Sequence, residues 1–294
     1  MSDAFAVDRG QIERRLGEIC TADLKALDRK LADAVQYALK SPGKRIRPLL
    51  LQYAYRAAGG DGDASMLACA PEVIHSYSLV HDDLPCMDDD DMRRGRPTLH
   101  RVYGTRIAIL AGAVMIPLSV KVAVSGLRAL DAPAPVAREV VEALLEGAGA
   151  GGMIGGQLRD LSGEGLSLSM EQREGIHVAK TGALIVASVR MGALAAGADA
   201  ASTDALTRYA EGIGLAFQIM DDVLDVTSTT SALGKTTGRD VALGKSTYPA
   251  LLGVDGARAR ALTLIDQALE TLAAHQLLTQ ELSQVANFMV TRTS

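Results

Sequence analysis

Proline placement constrains the fold of this chain more than any other single feature. No proline lies between Pro135 and Pro249, and this stretch is rich in Ala, Leu, Val and Met. Helices can run through it without the missing N–H and the steric clash that an internal proline introduces. Within it, Ile213, Phe217 and Met220 recur at helical spacing, whereas alternation of the strand type is scarce. The pattern predicts an all-α fold of roughly ten or more helices.

Composition supports this prediction and excludes several classes of protein. Of 294 residues, 48% are hydrophobic and 22% are charged, which suits a globular core and excludes a disordered or collagen-like chain. Only 3% are aromatic and none is tryptophan, so the core must be mainly aliphatic, which favours helices over aromatic-rich sandwiches or barrels. The formal net charge of −5 argues against a general nucleic-acid binder.

Cysteine usage and the apolar segments predict a cytoplasmic protein. The three cysteines are odd in number and lack metal-binding spacing, which favours a reducing compartment. The N-terminal sequence has neither the basic nor the apolar region of a signal peptide. The most membrane-like stretch, residues 107–120, is shorter than a span and lies between Arg106 and Lys121. We interpret it as a core helix and expect no membrane span.

Two glycine-containing segments interrupt the helical pattern. Residues 147–156, GAGAGGMIGG, could be a flexible linker, or a packed helix whose glycines allow close backbone approach. The helical patterns on both sides favour the packed helix. Residues 227–244 are rich in Ser, Thr and Gly, and loops of this length are often functional. With Lys235, Arg239 and Lys245, this segment is a candidate lid over an anion.

The acidic motif DDVLD supplies Asp221, Asp222 and Asp225. On a helix, Asp221 and Asp225 lie one turn apart on the same face, and Gln218 lies about one turn earlier. Like charges at this spacing destabilise a helix, so a polar stripe in an otherwise apolar segment indicates a site. For this motif alone, a solvated surface face is an equally good interpretation.

A second acidic motif, DDLPCMD, contains Asp82, Asp83 and Asp88. A regular helix would place Cys86 over Asp82, and Pro85 lacks the N–H that the helix needs at that position. We therefore expect the helix to kink or bulge between Asp83 and Asp88 if the three aspartates are to converge.

Together, the two acidic motifs indicate a site for a hard cation. Carboxylates without His or Cys partners suit Mg²⁺, which prefers oxygen ligands and commonly joins protein carboxylates to phosphate. Basic residues that could complete a phosphate site are Lys44, Arg45, Arg47, Arg93 and Arg94. A basic cluster alone is usually a solvated surface, but two basic and two acidic clusters around an apolar helical core are a more specific pattern. The residues alone predict an all-α, Mg²⁺-dependent enzyme that acts on a diphosphate with an apolar tail.

In these motifs the sequence resembles the trans-isoprenyl diphosphate synthases, most closely their bacterial farnesyl-type members. The first motif, DDLPCMDDDDMRRG, has the two-residue insertion of the bacterial form, and FQIMDDVLDVT resembles the second. Further matches follow in order along nearly the whole chain: GKRIRP, VIHSYSLVHDDLP, GGQLRDL, HVAKTGAL and LGKSTYPALLG. The resemblance implies the isoprenoid synthase fold, a helical bundle around a central cavity, as one polyprenyl synthase domain over residues 1–294.

The resemblance also implies a role for each motif residue. Three Mg²⁺ ions, bound together with the diphosphate, would be held by Asp82, Asp83, Asp88, Asp221, Asp222, Asp225 and Asp240. The allylic diphosphate would contact Arg93, Lys180 and Lys235, with Lys245 as a further substrate-binding residue. Isopentenyl diphosphate would contact Gly43, Lys44, Arg47, His75 and Arg94. Besides Asp82 and Asp221, the catalytic residues would be Lys180, Thr181 and Gln218, the last two with oxygens directed at the developing cation.

The implied reaction condenses isopentenyl diphosphate with dimethylallyl or geranyl diphosphate to give farnesyl diphosphate and diphosphate. Tyr77 and Ser78, just before the first motif, would form the floor that limits chain length. Geranyl and geranylgeranyl synthases are the alternatives within the family. Ala113 stands where family members usually carry Asp, so a weakened, non-catalytic paralogue or subunit is a third alternative. The resemblance further implies a homodimer.

Overall fold

The computed structural model describes residues 3–163, 165–166, 168–227 and 247–291. Within these ranges the chain is almost entirely helical. The N-terminal half contains α1 (Asp3–Ala22), α2 (Arg29–Leu39), α3 (Ile46–Ala57), α4 (Ser65–Asp82), α5 (Leu99–Tyr103), α6 (Thr105–Ala129) and α7 (Ala134–Ala148). The C-terminal half contains α8 (Met153–Ser162), α9 (Met170–His177), a π-helix (Val178–Gly182), α10 (Ala183–Ala195), α11 (Ala200–Thr227), α12 (Tyr248–Ala274) and α13 (Gln280–Thr291). The prediction of an all-α fold is confirmed.

The strands of the described residues form one short ribbon beside the first acidic motif. Strand β1 (Met92–Arg93) pairs antiparallel with β2 (Arg96–Pro97), and Arg93 lies opposite Arg96. Arg94 and Gly95, which connect the strands, both have positive φ angles of 51° and 74°. This turn fixes the direction of Arg93 and Arg94, two of the predicted phosphate-binding residues.

The bundle contains two adjoining apolar clusters. One is built mainly from α1, α2, α4, α6 and α7, and the other mainly from α10, α11, α12 and α13. Helix α3 contributes Leu51 to the first cluster and Leu49 to the second, and α10 likewise supplies both. The apolar stripe of α11 faces the second cluster, where Ile213 and Met220 are buried and Phe217 packs against them. The helical periodicity therefore identified the core side of α11 correctly.

Among the described residues, two segments are long and apolar enough to cross a membrane: Thr105–Ala129 and Met170–Ala195. In their most apolar windows 44% and 56% of residues are buried inside the bundle. Helix α6 packs so closely along α4 that a Cβ at Gly126 would lie 2.4 Å from the backbone nitrogen of Leu67. The interpretation of residues 107–120 as part of a core helix agrees with this packing.

The glycine-rich residues 147–156 are packed and do not form a linker. Helix α7 ends at Ala148 and α8 begins at Met153, so only a four-residue turn separates them. A Cβ at Gly147 would lie 2.5 Å from Cβ of Ala187, and one at Gly156 would lie 2.3 Å from the backbone nitrogen of Lys180. Each glycine therefore permits a helix contact that any side chain would block, and the packed-helix interpretation is confirmed.

Candidate active site

The first acidic motif begins where α4 ends. The helix terminates at Asp82, and the N–H of Asp88 returns to donate to the Asp82 carbonyl at 2.8 Å. Tight turns between them are closed by the N–H groups of Met87 and Asp89, which both donate to the Leu84 carbonyl. The prediction that a helix continues through the motif with a kink or bulge is wrong, because α4 ends at Asp82. Pro85 has no N–H to extend the helix, so the chain folds back and the turn brings Asp88 beside Asp82.

The environment of Asp82 favours a bound cation. Burial, together with the charges of Asp88 and Asp83, raises the pKa of Asp82 to about 6, although Lys180 and Arg93 act in the opposite direction. Arg93 Nε donates to Asp83 Oδ1 at 2.6 Å. A divalent cation at this turn would relieve the repulsion among the carboxylates.

A cluster of basic residues surrounds His75 on α4. Arg94 Nη1 donates to the Pro42 carbonyl at 2.7 Å, and its Nη2 lies 3.4 Å from Nε2 of His75. Gly43 lies beneath Arg94, since a Cβ there would be 2.6 Å from Arg94 Nη1. Arg47 is in the same cluster, and its Nε is buried without a hydrogen-bond partner among the described residues.

The pKa values of this cluster show that it lacks matching negative charge. Burial lowers the pKa of Arg47 to about 10, with a further lowering by Arg94 and only Glu72 opposing. Burial also lowers the pKa of His75 well below its usual range, and the charges of Arg47 and Arg94 add to the effect. Since cations that lower each other's pKa are stabilised by an anion, Arg47, His75 and Arg94 form a candidate diphosphate-binding cluster.

Arg45 and Lys44 have other surroundings. Arg45 directly precedes α3 as its N-cap with a left-handed φ of 54°, and its side chain is 1% exposed. It binds Glu72 at 2.6 Å and Glu13 at 2.7 Å, so this candidate phosphate ligand is in fact a structural ion pair. Lys44 Nζ lies 5.3 Å from the centre of the Phe288 ring on α13.

Lys180 and Thr181 lie in the π-helix, a widened turn that is often found at functional sites. Lys180 Nζ donates to Asp160 Oδ2 at 2.7 Å, and Arg173 Nη1 lies 3.5 Å from the other oxygen of Asp160. Burial lowers the pKa of Lys180, but Asp160, Asp82 and the neighbouring Asp88 outweigh it and raise the pKa overall. Lys180 is therefore a cation held between α8 and the first acidic motif.

The second acidic motif lies on α11, which continues unbroken to Thr227. Gln218 Nε2 donates to Asp221 Oδ2 at 3.3 Å, and Gln218 Oε1 lies 3.0 Å from Nδ1 of His177. Asp222 is only 5% exposed and accepts the backbone N–H of Tyr248 at 3.1 Å. The predicted stripe is thus present, but the oxygen of Gln218 faces His177, and Asp222 contacts the start of α12.

The π-helix connects the two acidic motifs. On one side Lys180 lies close enough to Asp82 to change its pKa. On the other, Gly182 packs against Gly214 of α11, where an added Cβ would be 3.4 Å from the Gly182 Cα. A short run of residues therefore holds both motifs in a fixed relation, with Lys180 and Thr181 between them.

The residues predicted to limit chain length lie on α4, before the first motif. Tyr77 is 8% exposed and makes an edge-to-face contact with the ring of His81, with 4.9 Å between ring centres. Ser78 Oγ donates to the His75 carbonyl at 3.0 Å. Ala113 lies on the exposed side of α6, next to Gly112, which packs against His81.

Four residues with predicted roles lie outside the described residues. They are the predicted metal ligand Asp240 and the predicted lid residues Lys235, Arg239 and Lys245. In the described part of the chain, no group of three or more His, Cys, Asp or Glu side chains could hold an ion by itself. Carboxylates that are not gathered into a complete ligand set are compatible with Mg²⁺, which commonly takes one or two carboxylates together with water and phosphate oxygens.

Sequence reasoning missed four residues that organise the site. Asp160 and Arg173 hold Lys180, and His177 and Tyr248 contact the second motif. Three of the four lie within motifs that resemble the family: Asp160 in GGQLRDL, His177 in HVAKTGAL and Tyr248 in LGKSTYPALLG. Those motifs were the available signal, but only the packing shows which of their residues meet.

Comparison with known proteins identifies the family. Residues 28–285 match the sequence profile described as polyprenyl synthetase. Farnesyl diphosphate synthase of Geobacillus stearothermophilus is 45% identical over 240 residues, 81% of this chain and 80% of that protein. Geranylgeranyl pyrophosphate synthase 9 of Arabidopsis thaliana is also 45% identical, over 82% of this chain and 68% of its own length. The chain belongs to the polyprenyl synthetase family.

A solved relative supports the same conclusion for the fold. The structure of a Helicobacter pylori geranyltransferase, complexed with magnesium and isoprenyl diphosphate, superposes with a TM-score of 0.81 at 32% identity. The match covers 98% of this chain and 97% of that one. The isoprenoid synthase fold is therefore confirmed, and the chain is a trans-prenyl diphosphate synthase.

Proposed function

We propose that this protein condenses isopentenyl diphosphate with dimethylallyl or geranyl diphosphate, with Mg²⁺ as cofactor, and that its product is farnesyl diphosphate. The observation that carries the proposal is the presence of an acidic and a basic cluster close to one residue, Arg93. Asp82 and Asp88 belong to the acidic cluster, Arg47, His75 and Arg94 form the basic one, and Arg93 acts electrostatically on both. The acidic cluster suits a metal-bound diphosphate and the basic cluster a diphosphate bound by cations alone, as a reaction of two diphosphates requires.

We assign the metal to the two acidic motifs, with Asp240 as an additional ligand. The chemistry that Mg²⁺ supplies there is neutralisation of the negative charge on the departing diphosphate. A relative's complex with magnesium and isoprenyl diphosphate supports this choice of metal. Three ions is the number that the resemblance implies.

This chain's own residues would hold and orient the allylic substrate. Lys180 and Arg93, with Lys235 and Lys245, would contact the diphosphate as its bond to carbon breaks. Thr181 would face the allylic cation that forms, whereas the oxygen of Gln218 is directed at His177 and not at the cation. The apolar helices around them would exclude water, which would otherwise capture the cation.

The second substrate then completes the reaction. Arg47, Arg94 and His75, with Gly43 and Lys44, would fix isopentenyl diphosphate so that its double bond attacks the cation and forms the new carbon–carbon bond. A proton leaves the condensed product, and the released diphosphate is the base that accepts it. No nucleophilic serine or cysteine is required.

Product length is the finer part of the proposal. The buried ring of Tyr77, with Ser78, lies before Asp82 on α4 and would block elongation past farnesyl diphosphate. A geranylgeranyl synthase is the second candidate, because a plant enzyme of that name is as similar to this chain as a farnesyl synthase is. A geranyl synthase would release a shorter product than either of these enzymes. A weakened paralogue would have little or no condensation activity.

One assay distinguishes these candidates. The protein is incubated with isopentenyl diphosphate, dimethylallyl or geranyl diphosphate, and Mg²⁺, and the products are separated by chain length. We expect farnesyl diphosphate; a geranylgeranyl product would overturn the role of Tyr77, and no condensation would overturn the enzyme assignment. Asp82→Ala and Asp221→Ala should each lower turnover roughly 100-fold or more and leave the helical circular dichroism unchanged.

The remaining parts of the proposal concern the whole chain. We propose that residues 1–294 form one domain, because α3 and α10 contribute to both apolar clusters. We also propose a cytoplasmic homodimer, which light scattering of the purified protein would test. We propose that the protein has no nucleic-acid partner and no membrane-spanning segment.

A further inference from the structure

His177 lies where the second acidic motif meets two other elements. It ends α9, its Nδ1 is 3.0 Å from Gln218 Oε1 on α11, and its ring stacks on Tyr248 at the start of α12. The ring centres are 6.4 Å apart with an interplanar angle of 30°. His177 therefore contacts Gln218, which precedes the motif on α11, and Tyr248, whose backbone N–H donates to Asp222.

The orientation of the Gln218 amide follows from its two contacts. An ionised Asp221 can only accept hydrogen bonds, so the end of Gln218 that lies 3.3 Å from Asp221 must be the amide nitrogen. The other end, which faces His177, must then be the carbonyl oxygen. Since that oxygen can only accept, Nδ1 of His177 carries the proton. The three side chains form a directed series from His177 through Gln218 to Asp221.

Tyr248 holds the same region from the other side. Its backbone N–H donates to Asp222 at 3.1 Å, and its hydroxyl lies 3.3 Å from Glu174 Oε2 on α9. Glu174 and His177 are almost one helical turn apart, so both contacts originate from one face of α9. The ring of His177 is thus confined between Tyr248 and Gln218, which leaves it little freedom to rotate.

We propose that His177 is a positioning residue for the second acidic motif: its Nδ1–H fixes the amide of Gln218, and Gln218 in turn fixes the carboxylate of Asp221. This inference rests on the proposed metal-binding function of Asp221. Groups that orient a metal ligand by hydrogen bonding determine its geometry, and their loss typically weakens metal binding or activity roughly 10- to 100-fold. In this proposal His177 acts through Gln218.

Two substitutions separate the hydrogen bond from the packing of the ring. His177→Phe keeps an aromatic ring against Tyr248 but removes the donor. His177→Asn removes the ring but places an amide N–H near the former position of Nδ1. His275→Phe is the matched control, because this exposed histidine follows α12 and its ring contacts the Thr271 carbonyl of that helix at 2.9 Å.

The first readout is the condensation reaction in Mg²⁺. For His177→Phe we expect kcat to fall roughly 10- to 100-fold, a higher Mg²⁺ concentration for half-maximal rate, and little change in KM for isopentenyl diphosphate. His177→Asn should retain kcat within about threefold of the wild type, because it restores the donor. His275→Phe should match the wild type. A wild-type rate and Mg²⁺ dependence for His177→Phe would overturn the proposal.

Two further readouts do not depend on turnover. Binding of Mn²⁺ in the presence of inorganic diphosphate, followed by electron paramagnetic resonance, should weaken roughly tenfold in His177→Phe and remain unchanged in His177→Asn. In ¹⁵N-histidine-labelled, metal-free wild type, imidazole NMR should show the His177 proton on Nδ1. A proton on Nε2 alone would contradict the directed series, even if the variants failed to fold.

The same measurements distinguish a failure of this inference from a failure of the proposed function. A wild type that forms no prenyl product would overturn the function, while the NMR and Mn²⁺ results would still decide the role of His177. An active wild type with an unaffected His177→Phe variant would overturn only the inference.

Discussion

Gly156→Ala is the substitution that most directly tests how the π-helix is held. A Cβ at position 156 would lie 2.3 Å from the backbone nitrogen of Lys180, 2.5 Å from its Cα and 2.7 Å from the carbonyl carbon of Ala179. All three atoms belong to the backbone, so no flexible side chain can move aside. Ordinary contacts of a Cβ begin at 3.4 Å, so α8 must separate from the π-helix by about 1 Å.

The energetic cost follows from this displacement. Overpacking of a well-packed contact costs about 1–3 kcal/mol, and replacing a helical glycine with alanine returns about 0.5–1 kcal/mol. We therefore expect the free energy of unfolding to fall by about 1–2 kcal/mol. The 2.7 Å bond between Lys180 and Asp160 joins the same two elements, and a 1 Å separation takes it beyond hydrogen-bond range.

Activity should respond more strongly than stability. If Lys180 holds the leaving diphosphate, a misplacement of about 1 Å lowers kcat by about 100-fold. The assay combines urea unfolding, followed by circular dichroism, with steady-state condensation rates. The matched control is Gly17→Ala on α1, where a Cβ meets no atom within 4 Å among the described residues; it should gain about 0.5–1 kcal/mol and keep full activity. Identical behaviour of the two variants would refute this account of the π-helix.

Three further predictions test other parts of the molecule. Arg45→Met should lower the free energy of unfolding in urea by about 3–5 kcal/mol, because it leaves Glu72 buried without its cation, whereas Arg15→Met at an exposed pair should cost under about 1 kcal/mol. The pKa of His75 is lowered in the folded protein, so its protonation opposes folding, and stability should fall as the pH drops below the unfolded value of 6.5. His75→Gln should flatten that fall in urea titrations between about pH 8 and pH 5; an unchanged slope would contradict the environment described for His75. Tyr77→Ala should shift the product, measured by chromatography, towards chains longer than the wild-type product by removing a buried aromatic wall, and an unchanged product would argue that the ring is ordinary core.

Local sequence pattern was sufficient for the helical class and for the buried face of α11. The spacing of Ile213, Phe217 and Met220 identified the core side of α11, because helical periodicity depends only on residues within a few turns. Likewise, Pro85 ruled out a regular helix through the first acidic motif. It did not determine the outcome, since a kink, a bulge and a helix end all satisfy a missing N–H. The hydrogen bond from Asp88 to Asp82 shows that the helix ends there.

Charge type could be read from the sequence, but charge partners could not. Arg45, Arg47 and Arg94 are equivalent as basic residues in a motif, yet the fold pairs Arg45 with the buried Glu72 and the exposed Glu13, and groups Arg47 with Arg94. The difference arises from residues that are distant in the chain, so no local pattern contains it. The same is true of Lys180, whose partner Asp160 is supplied by another helix.

The sequence by itself therefore determined the helical class, the acidic and basic motifs and the chemistry they suit, because these depend on residue type and short spacing. The tertiary structure alone decided which of those groups meet. It placed the π-helix between the two acidic motifs, directed the oxygen of Gln218 at His177, and required a glycine at position 156. Each of these follows from the packing of helices against one another, where distances of a few tenths of an ångström determine which contacts can form.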